Sequence, residues 1–295
     1  MGRGLLERGP AEAGPTGARP TRALPRWVRA LLRLAALLVA TSVVTFALVG
    51  ASPVDPVRAN VGQASYAHEQ YWGSSTPIWQ RYAHWAAGAL RGDLGGSLRF
   101  ARPVTEVVGE RFASSAALML AAWLLAGAGG LVLGIAMGTR EGGALDRVAL
   151  GTCYLLSSTP AFWLGLLALM VFCVWLGLFP LGFSVPVGVA ASQVSWADRL
   201  HHLVLPALVL AVSNMPGIAL HTREKTIDVM ASDYVRFARS RGESGLALLA
   251  RHGLRNLVVP ALTIELSSVS EVFGGSVLVE QVFSYPGLGQ AAVTA

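Results

Sequence analysis

Five stretches of this 295-residue chain are apolar for the length a helix needs to cross a lipid bilayer, about 20 residues. They run approximately over Trp27–Gly50, Ser114–Gly138, Val148–Leu178, His202–Leu220 and Leu257–Val279. Within hydrocarbon no water satisfies the backbone, so each such stretch is expected to be helical. Composition agrees. Hydrophobic residues make up 53% of the chain and charged residues only 14%, against about 25% charged in a soluble domain. The spans are dense in small residues, including Gly127, Gly129, Gly130 and Gly134, which suit close helix–helix approach. An Ala- and Gly-rich coding bias would give the same composition.

The net charge is +6 and Lys225 is the only lysine, so the basic side is almost all arginine. Clustering beside apolar spans fits orientation in lipid better than contact with nucleic acid, and no nucleic-acid partner is expected. Arg3, Arg8, Arg19, Arg22, Arg26 and Arg29 place the N-terminus in the cytosol. The loop at Arg140 and Arg147 then falls on the same side, as does the segment 223–256 with Arg223, Lys225, Arg236, Arg239, Arg241, Arg251 and Arg255. Residues 1–26, rich in Arg, Gly, Pro and Ala, read as a disordered cytosolic tail. The following apolar run is longer than a signal-peptide core and reads as an uncleaved first span. The loop 51–113 lies outside the cell on this topology. It contains an expected helix from Ile78 to Leu90, with Ile78, Tyr82, Trp85 and Ala89 near one face, then a turn at Gly92–Ser97. Trp72, Trp79 and Trp85 suit the headgroup level.

The most polar helix signal sits between the last two spans. Ser232 or Asp233 can cap its start, and Asp233 suits the positive helix end. Tyr234, Phe237, Ala238 and Arg241 share a face by helical spacing, with Arg236 and Arg239 pointing elsewhere. Gly242 stands where a left-handed C-cap would fall. A helix this short needs a surface to lie against. An aromatic pair ringed by arginines suits a groove on a partner protein, and a membrane surface is the competing reading. A second cytosolic helix is expected to start at Ser244, with Leu246, Leu249, Ala250, Gly253 and Leu254 as its apolar stripe, and Pro260 should kink or restart the last span.

Asp233-Tyr234-Val235-Arg236, Ala238-Arg239, Gly242, Arg251-His252, Leu254-Arg255-Asn256 and Pro260 resemble the EAA loop of binding-protein-dependent ABC transporter permeases of the dipeptide/oligopeptide/nickel branch. Further motifs of that branch follow in order: Arg91-Gly92-Asp93-Leu94-Gly95 with Pro103-Val104, Thr159-Pro160 with Phe162-Trp163-Leu164-Gly165, Leu205-Pro206-Ala207-Leu208, and Gly274-Gly275-Ser276-Val277 with Glu280, Phe283 and Pro286-Gly287-Leu288-Gly289. The resemblance implies an all-α integral membrane protein, a polytopic helix bundle of the type I ABC importer kind, with the transmembrane core over 108–295. It implies a second permease subunit, ABC ATPase subunits that hold ATP, and an extracytoplasmic solute-binding protein. By matching positions, Asp233, Tyr234, Arg236, Phe237, Ala238, Arg239, Arg241 and Gly242 form the ATPase-coupling element. Arg241 stands where the branch usually has lysine. The family carries one more span after Pro-Gly-Leu-Gly, and with five spans here the C-terminus is expected outside. The solute implied is a di- or oligopeptide, with nickel or another solute as the alternative.

The chain itself shows no nucleotide site: Lys225 follows Glu224, not the Gly of a Gly-Lys-Ser/Thr loop. His68-Glu69 has Trp72 where a metalloprotease helix needs its second histidine. Neither enzyme activity nor a cofactor or metal of its own is expected. Cys153 and Cys173 read as small buried side chains, and His201-His202 as an interfacial pair. A stand-alone transporter or channel would show paired broken helices in inverted repeats, which the sequence does not display. Within the last span, Glu265 and Glu271 are costly in lipid. They are candidate pathway residues together with Asn214, either facing a cationic solute or bonding between helices.

Overall fold

The structure, a computed structural model, describes residues 25–51, 77–97, 99–100, 102–186, 188, 193–243, 248, 251 and 253–294. The expected tail over 1–24, Trp72, and most of the second cytosolic helix, including Ser244, Leu246, Leu249 and Ala250, lie outside the described residues. The chain divides into two units, Met1–Arg91 and Gly92–Ala295.

In the first unit, α1 (Arg26–Ala51) buries no residue. A helix whose leucines all face outward is stable only where the surroundings are themselves apolar. Next, α2 (Ile78–Ala89) packs on its far end. The Tyr82 and Trp85 rings lie 5.5 and 5.6 Å from the Phe46 ring, and Ser42 Oγ and the Tyr82 hydroxyl share a 3.0 Å hydrogen bond. The face predicted from Tyr82 and Trp85 is the one that packs, while Trp79 is exposed.

The second unit is built around two long helices, α3 (Val104–Gly138) and α6 (Trp196–Ala231). At 35 and 36 residues, each extends about 50 Å. They begin before the apolar stretches do, α3 at Val104 rather than Ser114 and α6 at Trp196 rather than His202. The Gly92–Ser97 turn delivers α3: Gly92 and Gly95 are left-handed, Gly95 N–H donates to Asp93 Oδ1 at 2.9 Å, and a two-residue ladder pairs β1 (Gly96–Ser97) with β2 (Arg102–Pro103). Small residues at every fourth position of α3, Ala122, Ala126, Gly130, Gly134 and Gly138, are all buried. Facing them on α6 are Ile218, Thr222 and Thr226. A Cβ at Gly134 or Gly138 would stand 2.5 Å from the Cβ of Thr222 or Thr226. The glycine density is therefore a packing device along this seam, since only a missing side chain lets the backbones approach so closely.

The stretch expected as one span over Val148–Leu178 is two helices. α4 (Ala144–Ser157) and α5 (Ala161–Ala168, continued as a π-turn over Leu169–Trp175) meet at 105°. Pro160, which lacks an N–H and disfavours helix in the residue before it, stands at the break. The last expected span is also broken, but not at Pro260. Pro260 lies inside α8 (Leu254–Ser267), and the 50° bend falls at Ser268, before α9 (Val269–Val282). Among the described residues three helices are long and apolar enough to cross a membrane, or five if each bent pair is one span. The core is formed by Leu118, Leu205, Leu210, Val272, Val279 and Phe283, and α10 (Leu288–Thr294) closes the chain.

Candidate functional site

The short polar helix forms as α7 (Asp233–Ser240), directly after α6. Its C-terminus is a complete Schellman closure: Gly242 has φ +87°, its N–H donates to Arg239 O at 2.9 Å, and Glu243 N–H donates to Ala238 O at 3.2 Å. Its N-terminus departs from expectation. Ser232 has the extended backbone of a cap, but its hydroxyl donates backward to Val229 O, and no side chain caps the helix.

The faces also differ from the predicted ones. Ala238 does not share the outward face with Tyr234 and Phe237. It turns inward with Val235, and both are buried beside Val229, Leu248 and Leu257. Two small apolar side chains let this eight-residue helix lie flat on the bundle, and that contact supplies the stability the helix lacks alone. Tyr234 and Phe237 are left outside, 44% and 65% exposed, and Asn256 Nδ2 tethers the Tyr234 hydroxyl at 3.0 Å. Asp233, Arg236, Arg239 and Arg241 surround them on the surface. The result is an aromatic pair ringed by charge on a rigid base.

Further back along α6 lies an ion pair that sequence reasoning missed. Asp146, at the start of α4 and 2% exposed, accepts from Arg223 Nε at 2.6 Å and Arg223 Nη2 at 2.8 Å. Gly142 N–H donates to the same carboxylate at 2.9 Å. One side chain thus ties the α3–α4 turn, α4 and the last third of α6 together. The readable signal was an acid opening an apolar helix just after Gly142-Gly143.

The candidate pathway residues do not assemble. Asn214 donates to Leu210 O of its own helix at 2.7 Å, and Glu271 lies exposed in the first turn of α9. Glu265 alone is buried, 4% exposed, and neither of its carboxylate oxygens has a hydrogen-bond partner among the described residues. It rests against Gly127 of α3, where a Cβ would come within 2.8 Å of the carboxyl carbon. Its backbone carbonyl, freed at the bend of α8, accepts from Trp123 Nε1 at 2.9 Å and Ser268 Oγ at 2.9 Å.

Glu280, noted in sequence only as part of a motif, is fully buried and fully satisfied. Ser115 Oγ donates to Oε1 at 2.6 Å and Gln290 N–H to Oε2 at 3.0 Å. Ser115 Oγ in turn accepts from Leu288 N–H at 2.8 Å. Gly287 lies directly on the carboxylate, leaving no room for a Cβ. The Pro-Gly-Leu-Gly motif is therefore a turn wrapped around a buried acid. His202 and His201 are occupied nearby, bonding to Gly182 O and Leu178 O at 2.9 Å each.

Comparison with known proteins places this arrangement. Residues 130–295 match the family described as "Binding-protein-dependent transport system inner membrane component". The oligopeptide transport system permease protein AppB of Bacillus subtilis (strain 168) is 34% identical over 274 residues, covering 90% of this chain and 85% of its own length. The dipeptide transport system permease protein DppB of Escherichia coli (strain K12) is 29% identical, covering 87% of this chain and 83% of its own length. The glutathione transport system permease protein GsiC of Salmonella choleraesuis (strain SC-B67) is 33% identical, covering 90% and 84%. This chain belongs to the family of inner-membrane permease components of binding-protein-dependent transport systems.

Proposed function

We propose that this chain is one of two permease subunits of an ATP-driven importer that carries di- or oligopeptides across the plasma membrane, with α7 as its handle for the ATPase. The observation that carries the reading is the Tyr234–Phe237 pair, held outward on a helix whose inner face is fixed by Val235 and Ala238. Exposed aromatics on a rigid short helix are suited to a cleft in a partner, and the charges of Asp233, Arg236, Arg239 and Arg241 around them set orientation. The arginine distribution supports a cytosolic N-terminus and a cytosolic position for α7, where ATP is available. An extracytoplasmic solute-binding protein delivers the solute from the other side. The peptide assignment is supported by the names of the relatives, which are oligopeptide, dipeptide and glutathione permeases.

The arrangement turns nucleotide events into motion through a short path. Closing of the ATPase cleft displaces α7, which continues into α6 across the single residue Ser232. The Asp146–Arg223 pair passes that displacement to α4 and to the turn after α3. The test is co-purification of the complex from membranes. Wild-type chain is expected to retain the ATPase subunit, and Phe237→Asp to lose it while keeping the same thermal denaturation midpoint. If Phe237→Asp retains the ATPase and still supports ATP-dependent uptake, α7 is not the coupling surface. A stand-alone transporter would instead take up solute in proteoliposomes with no ATPase present.

A further inference from the structure

Two half-open cavities lie end to end along the seam where α3 meets α8 and α9. One is about 370 Å³ and includes Phe112, Met119, Leu266 and Phe273 in its lining; the other is about 210 Å³ and includes Gly127, Leu131, Leu262 and Glu265. Trp123 lines both. Glu265 is the one titratable side chain among all the lining residues, and its carboxylate is the group left without a hydrogen-bond partner.

Buried acids are ordinarily paired or hydrogen-bonded, because an isolated buried carboxylate is costly. Among the described residues, the other two buried acids, Asp146 and Glu280, obey that rule. The exception stands part-way along a transmembrane segment, three residues before its bend, opposite a glycine that leaves it space. Unpaired acids at membrane depth and interrupted helices are two marks of a solute path.

We propose that Glu265 and its cavity form a transient binding site for a primary ammonium group, the α-ammonium of the peptide in transit. The inference rests on the peptide-import reading above. A permease that accepts many peptides cannot read side chains closely. The terminal ammonium is the cationic feature every unblocked peptide carries. The apolar walls accept varied side chains, and the Trp123 ring beside the acid suits a cation. Within this site Glu265 supplies the charge, and Gly127 supplies the room for the carboxyl group to move between sealed and occupied positions.

The experiment uses the assembled complex in membranes, with Cys153→Ala and Cys173→Ala as background and Leu262→Cys as a reporter on the cavity wall, where the native side chain is half exposed. A cationic thiol reagent, aminoethyl methanethiosulfonate, is expected to label the reporter about tenfold faster with Glu265 present than with Glu265→Gln. The anionic sulfonatoethyl reagent gains nothing from Glu265. Millimolar dialanine is expected to slow the labelling, N-acetyl-dialanine to leave it unchanged, and neither to matter in the Glu265→Gln background. Equal rates for both reagents in both backgrounds would overturn the site. Charge selectivity without protection by dialanine would overturn its assignment to the peptide terminus. The labelling needs no turnover, so it is separable from the importer reading, which falls if wild-type complex shows no ATP-dependent uptake of any peptide its binding protein retains.

Discussion

The ends of the bundle and its middle treat a buried carboxylate in opposite ways. At the α7 end, Asp146 is enclosed by three donors, two from Arg223 and one from Gly142 N–H. At the other end of the helices, Glu280 is enclosed by Ser115 and Gln290 N–H with no cation involved. Between them Glu265 has neither. A satisfied buried acid is a fastener, because removing its donors leaves a charge that nothing else solvates. An unsatisfied one stabilises nothing by itself. The contrast separates parts of the chain that hold elements in register from the part available to something that passes through.

The largest effect should come from opening the paired end. Arg223→Met leaves the Asp146 carboxylate buried without its partner, and truncating one side of such a pair costs about 3–5 kcal/mol. The variant should show a lower denaturation midpoint in detergent. Adding Asp146→Leu should recover most of that loss, since removing both charges is far less damaging than removing one. If the single and double variants fall equally, the pair is not what joins α4 to α6. Next in size is Ser115→Ala, which deletes one hydroxyl serving two partners, Glu280 and Leu288 N–H. A loss of about 2 kcal/mol is expected, together with protease access at the Tyr285–Gly289 turn. A smaller effect, about 1 kcal/mol, is expected for Gly242→Ala, which forces a side chain into the left-handed C-cap of α7. This variant should weaken ATPase retention in proportion, read by the same co-purification, without touching the contrast between the acids.

How much of this was legible depended on the range of the interaction. Gly242 was readable because a glycine after a polar helix is a local signal, set by its own backbone. The packing role of Gly130 and Gly134 was only half legible: composition fitted a coding bias equally well, and the seam they form with Gly138 rests on the partner helix that faces them. The inner face of α7 was misread because helical spacing lists which residues are neighbours but not which way the helix rolls. Small Val235 and Ala238 won the inward position over the larger aromatics by allowing closer approach. The bend at Ser268 was placed at Pro260 for a similar reason. Proline is a visible breaker, yet in α8 the missing N–H is absorbed within a continuous helix, while the actual break is satisfied from outside by Trp123, 142 residues away in sequence. The Asp146–Arg223 and Ser115–Glu280 contacts join residues 77 and 165 positions apart, and no local pattern encodes such a distance.

The smallest effect has the opposite sign and is the sharpest discriminator. Glu265→Gln exchanges a buried carboxylate with no partner for a neutral group of the same shape, so no fastening is lost and the penalty of an isolated charge is relieved. Stability should be unchanged or raised by up to about 1 kcal/mol, where the corresponding neutralisation Asp146→Asn should lower it. A fall in the denaturation midpoint for Glu265→Gln comparable to that of Asp146→Asn would mean the carboxylate fastens helices after all, and the distinction between ends and middle would be lost. An unchanged midpoint with reduced peptide uptake is the expected pair of results, because a charge that contributes nothing to the resting bundle but matters during transport must act on what the bundle carries.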